Sequence, residues 1–143
     1  MLYYTPLLFL INVYHAHLLN DTILMMLFSS LTASSILHHA KKHDYYKGKS
    51  IVNITDKFLA HITTGYILYD NYLQDLNIWS IFTYTSILYI IFTYYIINFT
   101  KKNTILHASI HFVCVLGSNS HLYNKSLNNP VTSFRGMYFN HNC

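Results

Sequence analysis

The feature that most constrains this chain is a stretch of 23 residues without a charged side chain, from Ile78 to Thr100. The hydrocarbon core of a bilayer requires a helix of about 20 mostly apolar residues. The whole chain has the same character, because 52% of its 143 residues are hydrophobic and only 10% are charged. Ordinary soluble domains carry about 25% charged residues. The sequence therefore predicts a one-domain integral membrane protein, for which no nucleic-acid partner is expected.

The apolar stretches divide the chain into five candidate spans and a polar tail. Short connections predict that neighbouring helices are antiparallel. The predicted fold class is all-α, a multi-pass bundle of about five transmembrane helices, and a homo-oligomer is considered because five helices are few for a complete bundle. The spans are residues 2–19, 22–40, 50–69, 78–100 and 104–123, and the tail is residues 124–143.

The connections differ in charge in a regular way. Residues 41–50 and 100–103 are basic, whereas the Asn20-Asp21 pair and residues 70–77 carry only acidic charges. Cytoplasmic loops of membrane proteins are enriched in Lys and Arg. Five spans place both basic loops on one side, which predicts a cytoplasmic N-terminus and a C-terminus on the opposite side. Asn124 begins the one sequon that this topology leaves open to glycosylation.

Polar groups on three of these spans are predicted to share one depth. His107 and His111 lie four residues apart near the start of the fifth span, His39 lies at the end of the second, and Asp56 lies two turns into the third. At 1.5 Å per residue these groups fall within roughly 5–10 Å of each other in depth. An Asp at the centre of a span costs on the order of 3 kcal/mol, so Asp56 needs a compensating partner, which a cation would supply.

The chemistry of this set suits zinc. His39, His107 and His111 would give three nitrogen ligands, and three protein ligands with a water are typical of catalytic zinc. The pKa of that water would fall toward about 7. Asp56 would orient the water and accept its proton, and Ser35, one turn before His39, would hold the water or a developing oxyanion.

Three motifs resemble those of the haemolysin III and progestin/adipoQ receptor family, which belongs with the alkaline ceramidases in a superfamily of membrane hydrolases. They are SSILHHA (residues 34–40), ITDKFLAHITTG (residues 54–65) and HASIHFVCVLGSNSH (residues 107–121). The resemblance implies a zinc site near the cytoplasmic face and hydrolysis of a lipid amide or ester. The family has seven core helices, so two spans between the second and third motifs are missing from the five predicted here.

The resemblance also implies roles residue by residue. His39, His107 and His111 match the metal ligands of the family, and Asp56 matches its Asp. The serine positions of the family correspond to Ser34 and Ser35.

Two other interpretations stay open. The chain is a non-enzymatic membrane protein, receptor-like or membrane-perturbing, whose zinc joins three helices; such a site would be closed by Asp56 or Ser35 on the metal. Alternatively there is no metal, the histidines only form hydrogen bonds, Asp56 pairs with Lys57 and Ser35 packs between helices. Four further histidines have no assigned role: His15, His17, His61 and His121.

Overall fold

The computed structural model describes residues 4–40, 51–100 and 104–128, and throughout these ranges every regular element is a helix. The all-α prediction is thus confirmed for the described chain. The basic loops and most of the predicted tail lie outside the described residues. The elements are a 3-10 turn (Thr5–Leu8), α1 (Phe9–Leu18), α2 (Thr22–Ala40), α3 (Ile51–Tyr72), α4 (Ile78–Thr100) and α5 (Thr104–Asn128).

Two of the five described helices, α2 and α4, are long and apolar enough to cross a membrane. Helices α3 and α5 have 22 and 25 residues, which corresponds to about 33 and 38 Å, but both carry ionisable side chains. Helix α1 has only 10 residues and follows directly on a 3-10 turn that contains Pro6. Helix α5 continues to Asn128, five residues beyond the predicted end of the fifth span.

Asparagine and aspartate side chains set the tight connections between the helices. Asn20 adopts a left-handed backbone conformation with φ of 54°, which Asn tolerates better than most residues and which often ends a helix. The Asp21 carboxylate then accepts a hydrogen bond from the backbone N–H of Leu24 at 3.0 Å and caps α2. Asn77 caps α4 in the same way, accepting from the N–H groups of Trp79 and Ser80 at 2.9 and 3.1 Å.

The bundle buries small polar side chains and exposes large apolar ones. Among the described residues, 14 polar side chains are buried, against nine hydrophobic ones. Helix α4 shows the pattern best, since its exposed side carries Phe82, Leu88 and Phe92. Small residues between helices let the backbones approach closely, as in membrane bundles. The buried polar positions of α4 are Ser80, Thr83, Ser86 and Thr93.

Helices α4 and α5 approach each other closely at Gly117. The Thr83 hydroxyl donates to the Gly117 carbonyl at 3.3 Å, and a Cβ added to Gly117 would lie 2.6 Å from the Cβ of Ser86. Gly65 on α3 is different, because a Cβ there would meet nothing within 4 Å. Of the two glycines in the described ranges, Gly117 is the one that packing requires.

Ion pairs close one end of the bundle, called here the aspartate end and defined by Asp21, Asp70 and Lys125. The Lys125 ammonium lies 2.7 Å from a carboxylate oxygen of each aspartate, and Nε2 of the buried His121 lies 3.0 Å from Asp70. Burial raises the pKa of Asp70, but hydrogen bonds with His121 and Lys125 outweigh it and leave the pKa below its ordinary 3.8. The network joins α3 and α5 to the turn before α2.

Asn124 belongs to the same end and does not lie in a free tail. Its side chain is fully buried in α5, where its Nδ2 donates to the Ser80 hydroxyl at 2.8 Å and its Oδ1 accepts from Asn77. A glycan on this nitrogen would break both contacts. The prediction that Asn124 is open to glycosylation therefore conflicts with the folded structure.

Lys125→Met is expected to lower the free energy of unfolding by about 2–3 kcal/mol at pH 7, because it leaves two partly buried carboxylates without their counter-charge. The lowered pKa of Asp70 means that its stabilising contribution is complete above pH 3.8 and is lost as the pH falls through the folded-state value. The difference from wild type should therefore shrink below pH 3.8. Thermal unfolding of the variant and the wild type in detergent, repeated at several pH values, measures this difference in stability.

Lys57→Met is the matched control, since Lys57 is exposed on α3. It should leave stability nearly unchanged. A loss in the Lys57 variant equal to that in the Lys125 variant would show that the ion pairs stabilise nothing.

Candidate metal site

Three histidine side chains meet at the other end of the bundle, called here the histidine end and defined by His39, His107 and His111. His39 lies in the last turn of α2, and the other two lie in the first two turns of α5. Nε2 of His111 lies 3.2 Å from Nε2 of His107 and 3.4 Å from Nε2 of His39. One ligand atom from each residue lies within 4.8 Å of the others. The three residues predicted as ligands are thus brought together.

These separations suit a tetrahedral zinc ion. Zn–N bonds of 2.0–2.1 Å in tetrahedral geometry put ligand nitrogens about 3.3–3.4 Å apart, close to the two measured distances. Each ring nitrogen offers either one hydrogen or one lone pair. Three converging nitrogens therefore cannot all satisfy one another by hydrogen bonds. The donor set and its spacing fit a bound cation.

Asp56, on α3, reaches the histidine end. There it lies close enough to His38 and His107 to interact with both electrostatically. Its Oδ1 lies 3.1 Å from the hydroxyl of Ser34. Ser35 was predicted to hold the zinc-bound water or a developing oxyanion; its side chain is 1% exposed, and its hydroxyl makes no hydrogen bond by distance and angle within the described part of the chain. The structure thus pairs Asp56 with Ser34 by a hydrogen bond, and the buried Ser35 hydroxyl lies near the same carboxyl.

Aromatic rings surround the three histidines. The buried ring of Phe9, at the start of α1, meets the ring of His111 edge-on at a centroid distance of 5.9 Å. The ring of His38 lies 5.1 Å from that of His39. The sequence prediction missed Phe9, because one aromatic residue in an apolar stretch carries no distinguishing signal. For Ser34 the sequence did contain an indication, because it and the adjacent serine both matched the serine positions of the family motif.

The other four histidines of the described ranges lie outside the site. Nδ1 of His15 is 2.9 Å from the Asn119 side-chain oxygen, His61 bonds to the Lys57 carbonyl on the exposed side of α3, and His121 belongs to the aspartate end. His17 is exposed.

Comparison of the chain with models of known protein families, with curated proteins and with solved structures finds no match. The resemblance to the haemolysin III and adipoQ receptor family therefore still depends on the three motifs alone.

Proposed function

We propose that this chain is a multi-pass membrane protein whose three-histidine site holds zinc and hydrolyses a lipid amide or ester. The observation that carries the proposal is the cluster of His39, His107 and His111 beside a carboxylate and a buried hydroxyl. In this proposal the five predicted spans cross the bilayer with the histidine end on the cytoplasmic side, and the 3-10 turn Thr5–Leu8 extends the short α1 within the first span.

The distribution of side chains supports the membrane part of the proposal. Many large apolar groups face outward, and among the described residues the buried polar side chains outnumber the buried hydrophobic ones, as expected where small and polar residues pack membrane helices together. At the aspartate end, the rings of Trp79 and Tyr123 contact each other with centroids 4.7 Å apart, and such aromatic residues are enriched at membrane interfaces. The histidine end then lies near the opposite surface, at the level where lipids carry their amide and ester groups.

The site favours a catalytic zinc over a structural one. A structural site would be closed by a fourth protein ligand. Among the described residues, the cluster of ligand atoms contains three histidines and no carboxylate, and Oδ1 of Asp56 faces Ser34 instead. Three ligands leave a fourth position for water or substrate.

The residues around the site have separable roles in such a reaction. When bound, zinc supplies a Lewis acid that polarises a carbonyl and makes water more acidic. Asp56 would accept the proton of the attacking water as a general base. The buried hydroxyl of Ser35 is available to donate to the carbonyl oxygen of the substrate. Phe9 would keep His111 in place and exclude water from one side.

Lipid hydrolysis tests the proposal directly. Zinc-loaded protein in lipid nanodiscs should release fatty acid from an acyl amide, such as a fluorescent ceramide, or from a phospholipid ester. Asp56→Asn should retain zinc and lose about 10²–10⁴-fold in rate. Asp75→Asn, which changes an exposed carboxylate, should keep the wild-type rate. Failure of the zinc-loaded wild type to cleave either class would favour the non-enzymatic alternative.

A further inference from the structure

We infer that Ser34 positions Asp56 by forming a hydrogen bond with its carboxyl group in both of its protonation states. The inference concerns a residue to which the sequence assigned no separate role. Its consequence for catalysis rests on the proposed function, but the contact itself does not.

The Ser34 hydroxyl lies within hydrogen-bond distance of two oxygen atoms. Its Oγ lies 3.1 Å from Oδ1 of Asp56 and 3.0 Å from the backbone carbonyl of Leu31, one turn earlier in α2. The side chain is buried. A hydroxyl has one hydrogen to donate and two lone pairs to accept with. Ser34 therefore cannot donate to Leu31 and to Asp56 at the same time.

The direction of the bond follows the state of Asp56. An ionised carboxylate only accepts, so Ser34 must then donate its hydrogen to Oδ1. A protonated carboxyl can donate to Ser34 Oγ, and the Ser34 hydrogen is then free to turn toward the Leu31 carbonyl. Rotation of the hydroxyl hydrogen about the Cβ–Oγ bond therefore keeps the hydrogen bond in both protonation states of Asp56, and no heavy atom needs to move.

This arrangement is useful for a group that takes up and releases a proton. A buried polar group left without a partner is penalised by about 1–3 kcal/mol. With Ser34 present, Asp56 keeps a hydrogen bond before and after proton transfer. Its carboxyl therefore stays in one orientation through the reaction, which makes Ser34 a positioning residue.

Two neighbouring hydroxyls on α2 provide matched controls. Thr32 is buried and donates to the Phe28 carbonyl at 2.7 Å, so it repeats the backbone bond of Ser34 without the carboxyl. Ser35 is buried without a hydrogen bond within the described residues. Removing either hydroxyl tests whether any change in Asp56 is specific to Ser34.

Infrared spectroscopy of protein with isotope-labelled aspartate reports the contact directly. The bands of Asp56 are identified by their loss in Asp56→Asn. Ser34→Ala should shift these carboxyl bands, because their frequency depends on hydrogen bonding, and Ser34→Thr, which keeps a hydroxyl, should return them toward wild type. Thr32→Val should leave them in place, and Ser35→Ala should shift them less than Ser34→Ala does, because only the Ser34 hydroxyl lies within hydrogen-bond geometry of the carboxyl. Unmoved bands in Ser34→Ala, or an equal shift in Thr32→Val or Ser35→Ala, would overturn the inference.

The same variants separate this inference from the proposed function. If the wild type hydrolyses lipid, Ser34→Ala should keep its zinc but lose on the order of 10-fold in rate by misorienting the base, with recovery in Ser34→Thr. If the wild type hydrolyses nothing, the infrared result still decides the role of Ser34. Active wild type with unmoved bands in Ser34→Ala would overturn the positioning role and leave the proposed function intact.

Discussion

Replacing His107 and His111 together by alanine is expected to reduce the zinc content of the purified protein from about one ion per chain to almost none. The two residues supply two of three converging Nε2 atoms, 3.2 Å apart on the first turns of α5. His39 alone would hold zinc too weakly to survive purification. Elemental mass spectrometry of protein purified in detergent without chelators measures the ratio.

The unfolding temperature should depend on the same two histidines, because a ligand that binds only the folded state stabilises that state. A zinc chelator should lower the unfolding temperature of the wild type and leave that of the double variant unchanged. His61→Ala is the control, since His61 lies on the exposed side of α3, and it should retain both the zinc and the response to chelator. Zinc-free wild type would refute the catalytic and the structural zinc hypotheses together.

The sequence predicted the meeting of the three histidines for a simple physical reason. Two histidines four residues apart must share a helix face, and counting 1.5 Å per residue from the ends of antiparallel helices gives the depth of each group. His39 and His111 are far apart in sequence, yet both are a short distance from the same end of the bundle. Depth is therefore predictable from span boundaries alone.

Rotation of a helix about its own axis was not predictable in the same way. Ser34 and Ser35 are adjacent but point about 100° apart, and packing of α2 against α1 and α3 decides which one meets Asp56. The sequence prediction assigned Ser35 to the zinc-bound water or an oxyanion and named no serine partner for Asp56, whereas the structure pairs Ser34 with the carboxyl. Residue spacing along the sequence does not determine which serine meets the carboxyl, because the rotation of α2 depends on side-chain volumes in the neighbouring helices.

The sequence prediction missed the aspartate end because the polar residues that follow the fifth apolar stretch were interpreted as a solvent-exposed tail. Asn124 and Lys125 follow an apolar stretch, so the prediction ended the fifth helix at residue 123. In the structure these side chains are satisfied by Ser80, Asp21 and Asp70. Those partners are 44 to 104 residues away in sequence, and pairing at that distance requires the fold to be known.

Gly117→Ala is expected to lower the free energy of unfolding by about 1–3 kcal/mol, the range for overpacking of a tight contact. The added Cβ would lie 2.6 Å from the Cβ and 3.1 Å from the Oγ of Ser86. The Cβ of Ser86 is fixed to its backbone, so the added methyl group must push α4 and α5 apart. That movement also lengthens the contact between the Thr83 hydroxyl and the Gly117 carbonyl.

Two further substitutions distinguish this packing effect from a general effect of glycine replacement. Gly65→Ala adds the same methyl group to a helix where it meets nothing within 4 Å, so it should be neutral or stabilise by up to about 1 kcal/mol through helix propensity. Ser86→Gly removes the opposing Cβ, and combining it with Gly117→Ala should cost less than the sum of the two single changes. Unfolding in detergent, followed by circular dichroism, gives all four free energies. Simple additivity of the pair would mean that α4 and α5 do not pack through Gly117 and Ser86.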